Sequence, residues 1–158
     1  MILIIMGVSG SGKTTIGKML ADRIEYIFFD ADDYHSIENI EKMARGVGLI
    51  DNDRASWLKY IKDQIISKSE NAVIACSALK KSYRDFLSLP NKETIYIYLK
   101  GEKEILEKRL AERKGHYAGP ELLLSQLETL EEPENVLTID IRNEPEEIVN
   151  RIISSLKL

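Results

Sequence analysis

Residues 7–14 read Gly-Val-Ser-Gly-Ser-Gly-Lys-Thr, the spacing G-x-x-x-x-G-K-[ST]. Ile2-Leu3-Ile4-Ile5-Met6 precede it, an unbroken apolar run of the kind that fits a strand buried on both faces. Ile16, Met19, Leu20 and Ile24 follow at helical spacing. A strand, a glycine loop and a helix in that order predict a loop that wraps the phosphates of ATP or GTP. Gly7 and Gly12 let the backbone fold tightly and turn its N–H groups inward, with Val8, Ser9, Gly10 and Ser11 between them. The helix beginning near Lys13 adds its positive end, reached through Thr14 and Thr15. Lys13 is placed to meet the β and γ phosphates, and the Thr14 hydroxyl to hold Mg²⁺.

The rest of the chain alternates short apolar runs with amphipathic stretches, which predicts a mostly parallel sheet with helices on both faces. Strands are expected at 2–6, 26–29, 72–76, 94–99 and 136–141. Helices are expected at 13–24, 36–45, 53–69, 79–88, 102–113, 120–131 and 145–157. A length of 158 residues fits a single domain spanning 1–158. The net charge of −4 argues against nucleic acid as a partner, since such proteins carry a basic excess. The single cysteine, Cys76, excludes an internal disulfide, and the apolar start is too short for a signal core or a membrane span. A cytoplasmic setting is the expectation.

In open α/β sheets ligands bind beyond the carboxyl ends of the strands. The second strand ends in Asp30-Ala31-Asp32-Asp33-Tyr34-His35, so this acidic run should face the glycine loop. If it stays extended, Asp30 and Asp32 point the same way. Asp30 is assigned to the metal, through water, and Asp32 is assigned as the base toward an acceptor hydroxyl. His35, Lys42 and Arg54, in the polar helical insertion that follows, are candidates to contact the acceptor, with Asp53 as a helix cap. The third strand ends in Cys76-Ser77 with no Asp, unlike a switch GTPase or motor ATPase, which supports Asp30 as the metal residue. Lys80 and Arg84, read as i and i+4 on one helix face, are candidates for a substrate carboxylate. Cys76 reads as a packed thiol. Arg109 and Arg113 stand one turn apart before a segment bracketed by Gly115 and Gly119, as a lid over the γ-phosphate requires. The loop Arg142-Asn143-Glu144-Pro145 is expected beside the adenine base.

These residues carry a resemblance. Met6–Lys13, Asp30–His35, Asn39–Met43, Asp51–Arg54, Trp57-Leu58, Cys76–Lys80 with Tyr83-Arg84-Asp85, Arg113–Tyr117, Ser125-Gln126 and Leu130–Pro133 match the gluconate kinases, in the shikimate-kinase-like branch of small phosphoryl-transfer enzymes. Ala31, Tyr34, Gly48 and Ser56 depart from that family's usual residues. The resemblance implies ATP-dependent phosphorylation of D-gluconate at its 6-hydroxyl. It also implies a P-loop NTPase fold with a five-stranded parallel sheet in order 2-3-1-4-5, a lid at about 113–131, and a homodimer. Its matching segments add His116 and Gln126 to the acceptor-binding set. A kinase for a related sugar acid, one for shikimate or a similar small acid, a nucleoside monophosphate kinase and a nucleotide-dependent switch are the alternatives. Asn91-Lys92-Glu93-Thr94 is not the N-K-x-D guanine motif, which weighs against the switch.

Overall fold

The computed structural model describes residues 1–112 and 119–158. Five strands, β1 (Ile2–Met6), β2 (Ile27–Asp30), β3 (Ala72–Ala75), β4 (Thr94–Lys100) and β5 (Leu137–Asp140), form one sheet in the order β2-β3-β1-β4-β5. Every neighbouring pair is parallel. The helices are α1 (Lys13–Ile24), α2 (Ile37–Ala44), α3 (Asp51–Tyr60), α4 (Lys81–Leu87), α5 (Lys103–Glu112), α6 (Pro120–Thr129) and α7 (Pro145–Leu156).

Strand β1 explains the two layers. Side chains alternate across a strand, and all five of its residues are buried. Leu3 and Ile5 face a core built with Ile16 and Leu20 of α1, Leu106 of α5, Leu123 of α6 and Ile152 of α7. Ile2, Ile4 and Met6 face the other core, with Trp57 and Leu58 of α3 and with Tyr83 and Leu87 of α4. A third, small cluster of Met43, Leu49 and Leu122 joins the insertion after β2 to α6.

Two local expectations change. Residues 31–34 form a 3₁₀ turn, not an extended run. Asp30 caps it, accepting from the Asp32 N–H at 3.1 Å. The alternation argument for Asp30 and Asp32 therefore lapses, although both still face the same cavity. The helix expected from residue 53 begins at Asp51, with Asp53 two residues inside it. The Asp53 carboxylate reaches back to the Ile50 N–H at 3.0 Å, a bond available from the third helical position. Beyond Tyr60 the helix widens into a π-helical turn over Ile61–Ile66, which keeps Ile61, Ile65 and Ile66 all buried.

Candidate active site

The glycine loop has the predicted shape. Gly7 adopts φ +148°, and a Cβ there would lie 2.8 Å from the Leu99 carbonyl oxygen. Gly12 adopts φ +93° immediately before α1. Both conformations favour glycine, and Gly7 also has no room for a side chain. Val8 is buried, and its carbonyl accepts from Lys13 Nζ at 3.0 Å. The Ser11 hydroxyl is buried and has no hydrogen-bond partner among the described residues.

A cavity of about 550 Å³ opens over this loop. Ser9, Gly10, Gly12, Lys13, Thr14 and Thr15 form one wall. Asp30, Asp32, Asp33, Tyr34 and His35, at the end of β2, form the second. Met43, Leu49, Arg54, Trp57, Leu110, Leu122 and Gln126 also line it. The Thr14 hydroxyl donates to Asp30 Oδ2 at 2.6 Å, so the two residues assigned to the metal stand together. Among the described residues there is no cluster of three or more His, Cys, Asp or Glu fit to hold a metal ion unaided.

His35 is held by neighbours the sequence reading did not assign to the site. Its ring stacks on the single tryptophan, Trp57, with centroids 4.3 Å apart and planes at 15°. Trp57 Nε1 donates to the Ala31 carbonyl at 2.7 Å, which pins the 3₁₀ turn beneath the acidic run. Asn39, buried on α2, donates from Nδ2 to the Asp53 carbonyl at 2.9 Å and lies 3.4 Å from His35 Nδ1. The Asp53 contact fixes which way the Asn39 amide points, so Nδ1 accepts and the ring's Nε2–H turns to Asp32, 3.7 Å away. Two sequence signals could have found them: a lone tryptophan near polar residues, and an asparagine four residues before Met43.

The cation candidates divide sharply. Arg54 lines the cavity, is buried, donates to the Leu49 carbonyl and lies over the Tyr83 ring at 5.7 Å. Lys42 instead binds both oxygens of Asp53, at 2.8 and 2.9 Å. Lys80 binds Asp51 at 2.8 Å, and the Tyr83 hydroxyl donates to that same carboxylate. Lys80 is the extended N-cap residue of α4: its carbonyl accepts from the Arg84 N–H at 3.2 Å, one turn on, but its side chain goes to Asp51 and not to a face shared with Arg84. Arg84 is buried and donates to the carbonyls of Ala78 and Leu79 at 2.9 and 3.0 Å. That pair of bonds steadies Ala78, whose φ of +43° is unfavourable for a residue with a side chain. None of Lys42, Lys80 and Arg84 lines the cavity, so the structure does not bring these three expected acceptor ligands to it. Their hydrogen bonds hold Asp51 and Asp53 below the usual carboxylate range, Asp51 through Lys80 and Tyr83, Asp53 through Lys42 and the Ile50 N–H.

Arg109, expected over the transferred phosphate, lies on the other side of the glycine loop. It donates to the Ile141 carbonyl at 2.6 Å and lines a second hollow of about 280 Å³ with Gly10, Ser11, Gly12, Thr15, Asn143 and Pro145. Arg142 is tied to Asp140 through Nε at 2.8 Å and does not line that hollow. Gln126, expected on the acceptor, lines the cavity, with its Oε1 on the Ser9 N–H at 2.7 Å. Arg113 and His116 lie outside the described residues. Cys76 is buried, and burial pushes its thiol up to about 12, in keeping with a packed side chain.

Known proteins resemble this chain along nearly its whole length. A family model described as shikimate kinase matches residues 9–157. The probable gluconokinase of Mus musculus is 41% identical over 179 residues, spanning 99% of this chain and 97% of its own. The thermoresistant gluconokinase of Escherichia coli (strain K12) is 41% identical over 163 residues, spanning 99% of this chain and 93% of its own. The crystal structure of a gluconokinase from Sinorhizobium meliloti 1021 superposes with a TM-score of 0.88 at 39% identity, covering 98% of this chain and 90% of that one. A strand order of β2-β3-β1-β4-β5 and near-complete alignment to these proteins lead to one conclusion: this chain belongs to the gluconokinase family, within the shikimate-kinase-like P-loop kinases.

Proposed function

We propose that this protein transfers the γ-phosphoryl group of ATP to the 6-hydroxyl of D-gluconate, giving 6-phosphogluconate and ADP. One observation carries the reading: Lys13, Thr14, Asp30, Asp32, His35 and Arg54 line a single cavity. The names of the full-length relatives supply the acceptor.

The backbone amides of the glycine loop and Lys13 hold the triphosphate. Thr14 and Asp30 offer two oxygens side by side at the loop, which fits Mg²⁺, an ion that takes oxygen ligands and commonly only one or two from protein. When bound, Mg²⁺ neutralises charge on the β and γ oxygens. Asp32 accepts the proton of the 6-hydroxyl as its oxygen forms a bond to phosphorus and the bond to the β-bridging oxygen breaks. His35 presents Nε2–H beside Asp32 and orients the acceptor's hydroxyls. Arg54 is the cation for the gluconate carboxylate, being already desolvated and facing the cavity. Arg109, beside the second hollow with Asn143 and Pro145, forms a shelf for the adenine base. Arg113 and His116 retain their proposed roles at the lid, over the transferred phosphate and the acceptor. Helix α6 is the braced base of the proposed lid, with Leu123 in the core and Leu122 against Met43 and Leu49. The family resemblance further supports a cytoplasmic homodimer, whose mass light scattering would read.

A coupled assay of ADP release tests the reading across D-gluconate, other aldonates, shikimate and nucleoside monophosphates. D-gluconate should give the highest kcat/KM. A higher value for shikimate or a nucleotide would overturn the assignment of the acceptor, and ADP release independent of any acceptor would point to a nucleotide switch.

A further inference from the structure

The peptide unit between Val8 and Ser9 is held at both ends. Its carbonyl oxygen accepts from Lys13 Nζ at 3.0 Å and from the Ser11 N–H at 3.2 Å. Its N–H donates to Gln126 Oε1 at 2.7 Å. A trans peptide is a rigid plane with its N–H and C=O directed opposite ways. Lysine and glutamine therefore grip opposite edges of one plate. Rotation of the plate that frees one edge also moves the other. Bonds in such a chain polarise one another, so a carboxamide oxygen on the N–H strengthens the carbonyl as an acceptor for the ammonium.

Gln126 reaches this peptide from a helix 117 residues further along the chain. That helix, α6, is itself fixed on the acceptor side. Leu122 packs with Met43 and Leu49. A Cβ added to Gly48 would lie 1.9 Å from Ser125 Oγ, so the loop after α2 and the residue beside Gln126 meet with no space for a side chain. The Gln126 carboxamide thus comes from a well-braced surface. An ammonium has three donors. One on the Val8 carbonyl fixes the direction of the other two.

We propose that Gln126 is a positioning residue for Lys13: its carboxamide locks the Val8–Ser9 peptide in the orientation whose carbonyl aims the lysine ammonium at the nucleotide phosphates. This rests on Lys13 binding phosphate and is independent of which acceptor the enzyme uses. Without the Gln126 oxygen, the Ser9 N–H loses its partner, and only the carbonyl-side bonds from Ser11 and Lys13 restrain the plate as it turns toward another acceptor.

The test is a double-mutant cycle on the binding of Mg²⁺ with the β,γ-imido analogue of ATP, measured by calorimetry without acceptor. Titrations run far enough to saturate each variant. Gln126→Met removes the carbonyl at nearly constant length and should weaken binding by about 10-fold in the presence of Lys13, yet by less than about 2-fold in a Lys13→Met background. A helix that merely docks through Gln126 predicts the same loss in both backgrounds. Equal losses, or no loss with Lys13 present, would overturn the proposal. Gln126→Asn keeps the amide but is one methylene short. It should reproduce the Gln126→Met pattern, and it supplies the answer if the methionine variant does not fold. Since no sugar acid enters this assay, its failure leaves the acceptor assignment standing, and a failed acceptor panel leaves this proposal standing.

Discussion

The two walls of the cavity are made in different ways. The phosphate wall is largely backbone: a loop whose three glycines, Gly7, Gly10 and Gly12, have positive φ, and the start of α1. The acceptor wall is side chains: a His35–Trp57 stack, a buried Asn39 and a buried Arg54. A backbone site is written in consecutive residues, because glycine spacing and the helix that follows determine it. A side-chain site is decided by which charges find each other from distant positions.

That contrast yields a graded set of expected effects. The largest falls on the backbone side. Lys13→Ala should lower kcat/KM by at least about 10³-fold while the protein stays folded, since a preorganised charge on the transferred group is lost. Near-normal turnover in a steady-state assay would break the contrast at its stronger end. Next comes the acceptor wall. Arg54→Gln should raise KM for gluconate by about 10–100-fold, the worth of a hydrogen bond to a charged group, and leave KM for ATP nearly unchanged. Arg54→Lys should not restore it, because a lysine cannot match the guanidinium fork.

Smaller effects fall on the cations that other groups have claimed. Lys80→Ala should change KM for gluconate by less than about 3-fold, because an exposed pair with Asp51 is worth little and lies off the cavity. Its measurement beside Arg54→Gln sharpens the distinction between a lining cation and a paired one. The pairs should show in acid stability. Asp51 and Asp53 have lowered folded pKa values, so their contribution is complete above the unfolded value of about 3.9 and disappears as pH falls through the folded values. Wild type and Asp53→Asn should therefore differ in Tm near neutrality, with the gap closing only as pH falls below about 4 and through the lowered folded value.

The sequence made the sheet legible because each strand is an apolar run bounded by turn residues, and the glycine loop pointed to the end of β1 where the nucleotide binds. The pairing of Asp30 with Thr14 was legible for the same reason: strand ends in a parallel sheet share one rim. The fate of the cations was not. Lys42 and Asp53 are 11 residues apart, and Lys80 and Asp51 are 29 apart. No local pattern says which acid a flexible lysine will meet. The Asp30–Asp32 alternation failed because Asp30 could cap its own turn, a local bond that competes with extended structure. Trp57 read as one more apolar residue on a helix stripe, since its indole N–H has its partner 26 residues away at Ala31.

In the proposed reaction the central step is the transfer of a proton from the acceptor to Asp32 while the glycine loop holds the triphosphate. Single-turnover kinetics of Asp32→Asn, with ATP and D-gluconate both saturating, test this most directly. The rate should fall by about 10²–10⁴-fold, the usual worth of a general base, with nucleotide affinity changed by no more than a few-fold. A variant that keeps more than about a tenth of the wild-type rate would contradict it.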